Sequence, residues 1–125
     1  MDIETKLTAR LVKAWREMSC EVLNIFGNNF QAPGWPDVFV CGKLWTGWIE
    51  FKGPETKLQP HQARVIKALG KTESIYIVRF AYQLRQAWCF EISDANLNIV
   101  SEKDIIGTDG QVAAGLLKEL ARLDN

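Results

Sequence analysis

A chain of 125 residues, 47 % hydrophobic and 24 % charged, has the composition of one globular domain able to bury a core without disulfides or structural metals. The absence of any long Ser, Gly or Pro tract argues against a disordered or fibrous protein. Fifteen Lys plus Arg balance fifteen Asp plus Glu, so net charge selects no class of partner and only its distribution can.

The opening "MDIETKLTAR" lacks the basic and apolar regions of a signal peptide, and no apolar run approaches the ~18 residues of a membrane span. A cytoplasmic protein with no membrane partner is expected. Cys20, Cys41 and Cys89 are widely spaced, with no CxxC pair, and are expected as reduced core thiols.

Ile3, Leu7, Leu11, Ala14, Trp15 and Met18 recur at helical spacing, with Asp2 placed to cap the helix. "CEVLNIF" (20–26) reads as a strand, and "GNNFQAPGWP" as loop. "DVFVC" and "GWIEFK", joined by "GKLWT", predict a hairpin. "LQPHQARVIKALGK" is a helix with Pro60 in its first turn and Gly70 near its end. "SIYIVRFA" follows as a fourth strand. "QAWCFEIS" and "LNIVS" are further strands, and "DGQVAAGLLKELARL" closes the chain as an amphipathic helix. The expected class is α/β: a central mixed sheet flanked by helices, in one domain over 1–125, with an αβββαβ core over about 2–80 and a β-rich and helical extension over about 81–125.

One stretch is chemically unusual. In "GWPDVFVCGKLWTGWIEFKGP", Glu50 and Lys52 stand two apart on a strand and so project from one face, while Ile49 and Phe51 serve the other. Asp37, at the mouth of the preceding strand, reaches the same face if the two strands pair. Hard oxygen ligands suit Mg²⁺, which takes one or two carboxylates and keeps several waters. Asp37 and Glu50 supply such a pair, and the backbone carbonyl of Phe51 a possible third ligand. Lys52 could then position or deprotonate a water, or steady charge on a phosphate.

Gln62, Val65, Ile66 and Leu69 lie at i, i+3, i+4 and i+7, which places the glutamine on the apolar stripe that faces the sheet, where its amide needs a partner. Each residue also has a plainer reading: Glu50 and Lys52 as an exposed edge-strand pair, Asp37 as a turn former, Gln62 as a solvated helix residue. Glu4 is either a first-turn glutamate favouring the helix dipole or a further metal or water contact, with Glu17 and Glu21 as alternatives. Between Lys43 and Lys71 six basic residues face two acidic ones. Of these, Arg64, Lys67 and Lys71 share a helix face that either meets a nucleic-acid backbone or is simply solvated.

The ordered set "GWPDVFV", "WIEFKGPETKLQPHQ" and the helix and strand order resemble the PD-(D/E)XK nuclease superfamily, and within it the virus-type replication-repair nuclease (VRR-NUC) family, over roughly Asp2 to Phe80. The resemblance implies a restriction-endonuclease-like core and a Mg²⁺- or Mn²⁺-dependent endonuclease hydrolysing phosphodiester bonds in DNA. By that resemblance Asp37 and Glu50 hold the metal, Lys52 is the catalytic lysine, Gln62 the motif glutamine and Glu4 the first-helix glutamate. Small stand-alone members look like phage or bacterial enzymes that act as homodimers on branched DNA, in the manner of Holliday-junction resolvases. Lys43, Lys57, Arg64, Lys67 and Lys71 are the expected DNA contacts, and Asn24 stands near where relatives often carry a lysine. For a homodimer, Val112, Leu116, Leu117, Leu120 and Leu123 on the last helix offer a seam. A catalytically silent binding module on the same fold, or a structural subunit, are the competing classes.

Overall fold

The computed structural model describes residues 3–25, 34–84 and 87–125. Asp2, Phe26, the loop residues 27–33 and Gln86, to which the sequence reading assigned places, lie outside the described residues. Three helices and a six-stranded mixed sheet make an α/β fold. In chain order the elements are α1 (Ile3–Glu17), β1 (Glu21–Asn24), β2 (Val38–Cys41), β3 (Thr46–Lys52), α2 (Pro60–Leu69), β4 (Ile75–Leu84), β5 (Ala87–Ser93), β6 (Ile99–Ile106) and α3 (Asp109–Asp124). The strands lie in the sheet in chain order. All neighbours are antiparallel except β3 and β4, which run parallel because α2 connects them.

Alternation along the strands divides the side chains between two cores. Val38, Val40, Ile49, Phe51, Tyr76, Val78, Phe80, Phe90 and Ile92 join α1 and α3 in the larger one. Phe51 stacks on Phe80 with ring centroids 5.3 Å apart, and the buried Trp15 donates its indole N–H to the Ala113 carbonyl at 2.9 Å, tying α1 to α3. On the other face α2 covers a smaller core of Ile66, Ile75 and Ile77, with Trp48, Leu58 and Leu69 packed against it.

Several expectations need correction. Ile3 and Met18, assigned to the apolar stripe of α1, are exposed, while Thr8 and Val12 are buried. The stripe is wide in the middle because both the sheet and α3 cover it there, and it ends before either end of the helix. Cys41 is an exposed free thiol: on β2 it alternates with the core-facing Val38 and Val40. The sixth strand runs on through "SEKDII", past the predicted "LNIVS". As an edge strand it has one face partly under α3 and the other open, so Glu102, Lys103 and Asp104 cost little, and charge there also blunts the open edge.

The dimer seam is the largest correction. Val112, Leu116, Leu117 and Leu120 are fully buried within the chain's own core, and Leu123 is packed against it. The last helix spends its apolar stripe on α1 and the sheet, so it has no such stripe left for a second copy. Among the described residues no helix is long and apolar enough to cross a membrane.

Candidate active site

The register of β2 on β3 pairs Val38 with Ile49, so Asp37, one residue earlier, arrives opposite Glu50. Its Oδ2 accepts the Phe51 backbone N–H at 3.0 Å, and its backbone carbonyl accepts the Ile25 N–H at 2.9 Å. Asp37, Glu50 and Lys52 are 5 %, 2 % and 5 % exposed, which rules out a solvated edge-strand pair. Lys52 Nζ lies 3.3 Å from Glu50 Oε2.

Gln62, the third residue of α2, joins these groups. Its Nε2 donates to Glu50 Oε2 at 3.2 Å, and its Oε1 accepts from Lys52 Nζ at 3.2 Å and from the Gln59 backbone N–H at 2.9 Å. The same amide therefore closes the start of the helix and clamps the ion pair. With Oε2 taken up by Lys52 and Gln62, Glu50 Oε1 is buried and has no hydrogen-bond partner among the described residues. An orphaned buried carboxylate oxygen is costly.

Burial and mutual repulsion push both carboxyls well above their ordinary values. Burial raises Asp37 to about 7 against the bond from Phe51, with a further push from Glu4. Burial raises Glu50 to about 8, followed by the charge of Asp37 and against the attraction of Lys52. The proton belongs to the pair rather than to either residue.

Glu4 is the glutamate of the three that reaches the site. Its Oε2 would lie 3.8 Å from a Cβ built on Gly53, immediately after Lys52, and its charge is felt by both Asp37 and Glu50. Glu17 is thirteen residues further along α1, about 20 Å away. Glu21 pairs with Cys41, towards the hairpin end of β2. Asn24 pairs with Val38 and borders a cleft with Ala9, Lys13 and Arg16 of α1, on the face of the sheet opposite Glu50 and Lys52.

The expected DNA contacts separate into two groups. Lys57, Arg64, Lys67 and Lys71 are exposed along the loop before α2, on α2 and just after it, and α2 begins at the site. Lys43 is also exposed but sits in the hairpin connection, bordering a cavity with Met18, Cys20 and Leu117. Four residues of β3, about 13 Å, separate that end of the hairpin from Glu50. The fold therefore does not bring Lys43 next to the carboxylates.

Two features are not evident from the sequence. Arg79 pairs with Lys52 across the parallel β3–β4 register and donates to the Gly53 carbonyl at 2.7 Å and to the Thr56 carbonyl, pinning the loop that follows the lysine. Its signal was a lone arginine in "SIYIVRFA", in step with Ile75 and Ile77. The second is an aromatic group: Trp48 meets Trp35 edge-on at 5.6 Å and Phe39 at 4.9 Å.

Gly34 fixes the approach to Trp35 and Asp37. It has φ +84°, and a Cβ there would stand 2.8 Å from the His61 carbonyl oxygen and 2.9 Å from Val65 Cγ2. Gly34→Ala is expected to lower stability by about 1–3 kcal/mol, from left-handed strain and a backbone collision together. A denaturant titration measures it, and an unchanged midpoint would mean that the 34–36 segment is not held against α2.

Among the described residues no three His, Cys, Asp or Glu side chains form a ready-made metal cage. The arrangement present is two carboxylates, a lysine and a glutamine at adjoining strand ends of a mixed α/β sheet. No family model matches the chain, and no curated protein matches it.

Proposed function

We propose that the chain is a divalent-metal-dependent endonuclease that hydrolyses phosphodiester bonds in DNA. The observation that carries this reading is the convergence of Asp37, Glu50 and Lys52 in a buried cluster, with one Glu50 oxygen clamped and the other left without a partner.

The donor set suits Mg²⁺ or Mn²⁺. Both carboxylates are hard oxygen donors, and the buried Glu50 Oε1 has no hydrogen-bond partner among the described residues. The Phe51 carbonyl is a third candidate. Trp48 donates its N–H to Ser74 on the β4 side, so alternation turns the N–H and carbonyl of Phe51 to the β2 side, as its bond to Asp37 requires. A bound cation would supply Lewis acidity and a template for substrate oxygens and water.

The residues of the chain do the rest. Gln62 holds Glu50 Oε2 and Lys52 Nζ in fixed positions. Lys52 is thereby held beside the carboxylates, where its ammonium can orient a water or offset charge that builds on the phosphate. Glu4 adds negative charge at the same place, and Lys57, Arg64 and Lys67 offer phosphate contacts on the adjoining surface. Arg79 holds the 53–56 loop so that Lys52 is not displaced by substrate.

The reading extends to a cytoplasmic enzyme, of phage or bacterial type, cutting branched DNA as a homodimer. With the α3 stripe buried, such a dimer would use another surface. The deciding experiment incubates supercoiled, flapped and four-way-junction DNA with Mg²⁺, Mn²⁺, Zn²⁺ or chelator, alongside sedimentation of the protein. Cleavage with Mg²⁺ or Mn²⁺ that chelator stops is expected. Binding without cleavage would instead indicate a silent module, and activity confined to Zn²⁺ would contradict the oxygen-ligand site. A monomer at micromolar concentration, or equal cutting of all three substrates, would refute the dimer and branched-DNA parts.

A further inference from the structure

The aromatic group beside the site has no role in the chemistry proposed above, yet its placement is specific. Trp48 lies two residues before Glu50 on β3, and Phe39 two residues after Asp37 on β2, and in the register of the two strands Phe39 and Trp48 are directly paired. Alternation therefore places these rings on the same sheet face as the carboxylates, one side-chain repeat away, about 7 Å. Trp35 extends the row outwards and is 37 % exposed.

Trp48 itself is only half-buried and packs against the small core under α2, so the group has a rigid base. Gly34 lies so near the His61 carbonyl and Val65 that a Cβ would collide with both, and it sets the backbone from which Trp35 projects. A large aromatic surface that is partly open to solvent, held still, and one repeat from a phosphodiester site matches the chemistry of a nucleobase. Base–aromatic stacking is indifferent to sequence because every base has a π-face, but it requires a base that is not already stacked in a duplex.

Resting on the nuclease reading, we propose that Trp35, supported by Trp48 and Phe39, is a stacking platform for an unpaired base of the DNA strand being cut. The substrate class is then DNA with an unpaired segment at the cleavage point. Phe39 and Trp48 stand about 7 Å from the carboxylates and Trp35 meets Trp48 at 5.6 Å, so the scissile phosphate lies within one or two nucleotides of the stacked base. Base identity should matter little, since no hydrogen-bonding edge is read by a ring.

The test is a binding measurement independent of cleavage: fluorescence anisotropy, in chelator, of a labelled single-stranded oligonucleotide and a blunt duplex of the same length. Wild-type protein should hold the single strand more tightly. Trp35→Ala should weaken single-strand binding about ten-fold or more and duplex binding much less, while Trp35→Phe should retain most of it. Thermal melts of both variants establish that they are folded. Equal binding of the two forms by wild type, equal loss for both forms in Trp35→Ala, or a Trp35→Ala defect in self-association without a DNA defect would each overturn the proposal. Trp35-dependent binding with no metal-dependent cleavage would sink the nuclease reading alone. Cleavage with Trp35-independent binding would sink this proposal alone.

Discussion

Lys52→Ala is expected to lower the rate of DNA cleavage by about 10³-fold while changing DNA affinity by no more than a few-fold. Lys52 is 5 % exposed and its Nζ is engaged with Glu50 and Gln62, so substrate docking does not depend on its charge at the surface. Its proposed contribution lies where a proton moves or charge accumulates on phosphate, and losses of that kind appear in kcat rather than in binding. Removing it also leaves Glu50 without its cation, which raises the cost of ionising that carboxyl. Lys52→Met, closer in volume, separates the loss of charge from the cavity that alanine leaves. Single-turnover cleavage paired with anisotropy measures both quantities. Wild-type rates in either variant would remove Lys52 from the mechanism.

The second large effect is a stability that falls as pH rises in the metal-free protein. Burial pushes the Asp37–Glu50 pair up to about 7 and 8 in the folded chain, above the ordinary carboxylate values of 3.8 and 4.5. Between those limits the folded state binds more protons than the unfolded state, so the unfolding free energy decreases with pH. The contribution is fully present below about pH 4 and is gone above about pH 8. Asp37→Asn retains an acceptor for the Phe51 N–H and removes one of the two charges, so it should flatten this slope and melt higher than wild type at pH 8 without metal.

Millimolar Mg²⁺ or Mn²⁺ should raise the wild-type melting temperature, more at pH 8 than at pH 6, because the cation competes with the shared proton. In Asp37→Asn that response should shrink. Thermal melts over a pH series, with and without metal, measure all of this. A wild-type stability that rises from pH 5 to 8 would contradict the buried-pair electrostatics. An unchanged metal response in Asp37→Asn would place the cation elsewhere.

How the site could be read in advance follows from the range of the interactions involved. Glu50 and Lys52 are two apart on a strand, and strand alternation is local, so their shared face needed no tertiary information. Asp37 required only that two neighbouring strands joined by a short connection pair as a hairpin. Gln62 on the sheet-facing stripe of α2 was visible because helical period is also local. Its partners were inferable because a buried amide must have some.

Arg79 was hidden. It meets Lys52 only through the parallel register of β3 and β4, which depends on how α2 carries the chain back across the sheet. Trp35, Phe39 and Trp48 were hidden for a similar reason, since each alone reads as an ordinary apolar residue. Among Glu4, Glu17 and Glu21 the choice rested on which end of α1 docks beside Gly53, a matter of helix placement.

By itself the sequence determined the element order, the face on which each strand residue stands and the paired acid–lysine motif, all of which depend on neighbours a few residues apart. Only the tertiary structure decided that α3 covers α1 and the sheet, leaving its leucines buried and unavailable as a seam, and that Lys43 stands at the end of the hairpin away from Glu50. It also decided that Glu50 keeps one oxygen without a hydrogen-bond partner among the described residues. Those outcomes depend on which surfaces the remote parts of the chain bury against one another, and hydrophobic burial has no memory of sequence distance.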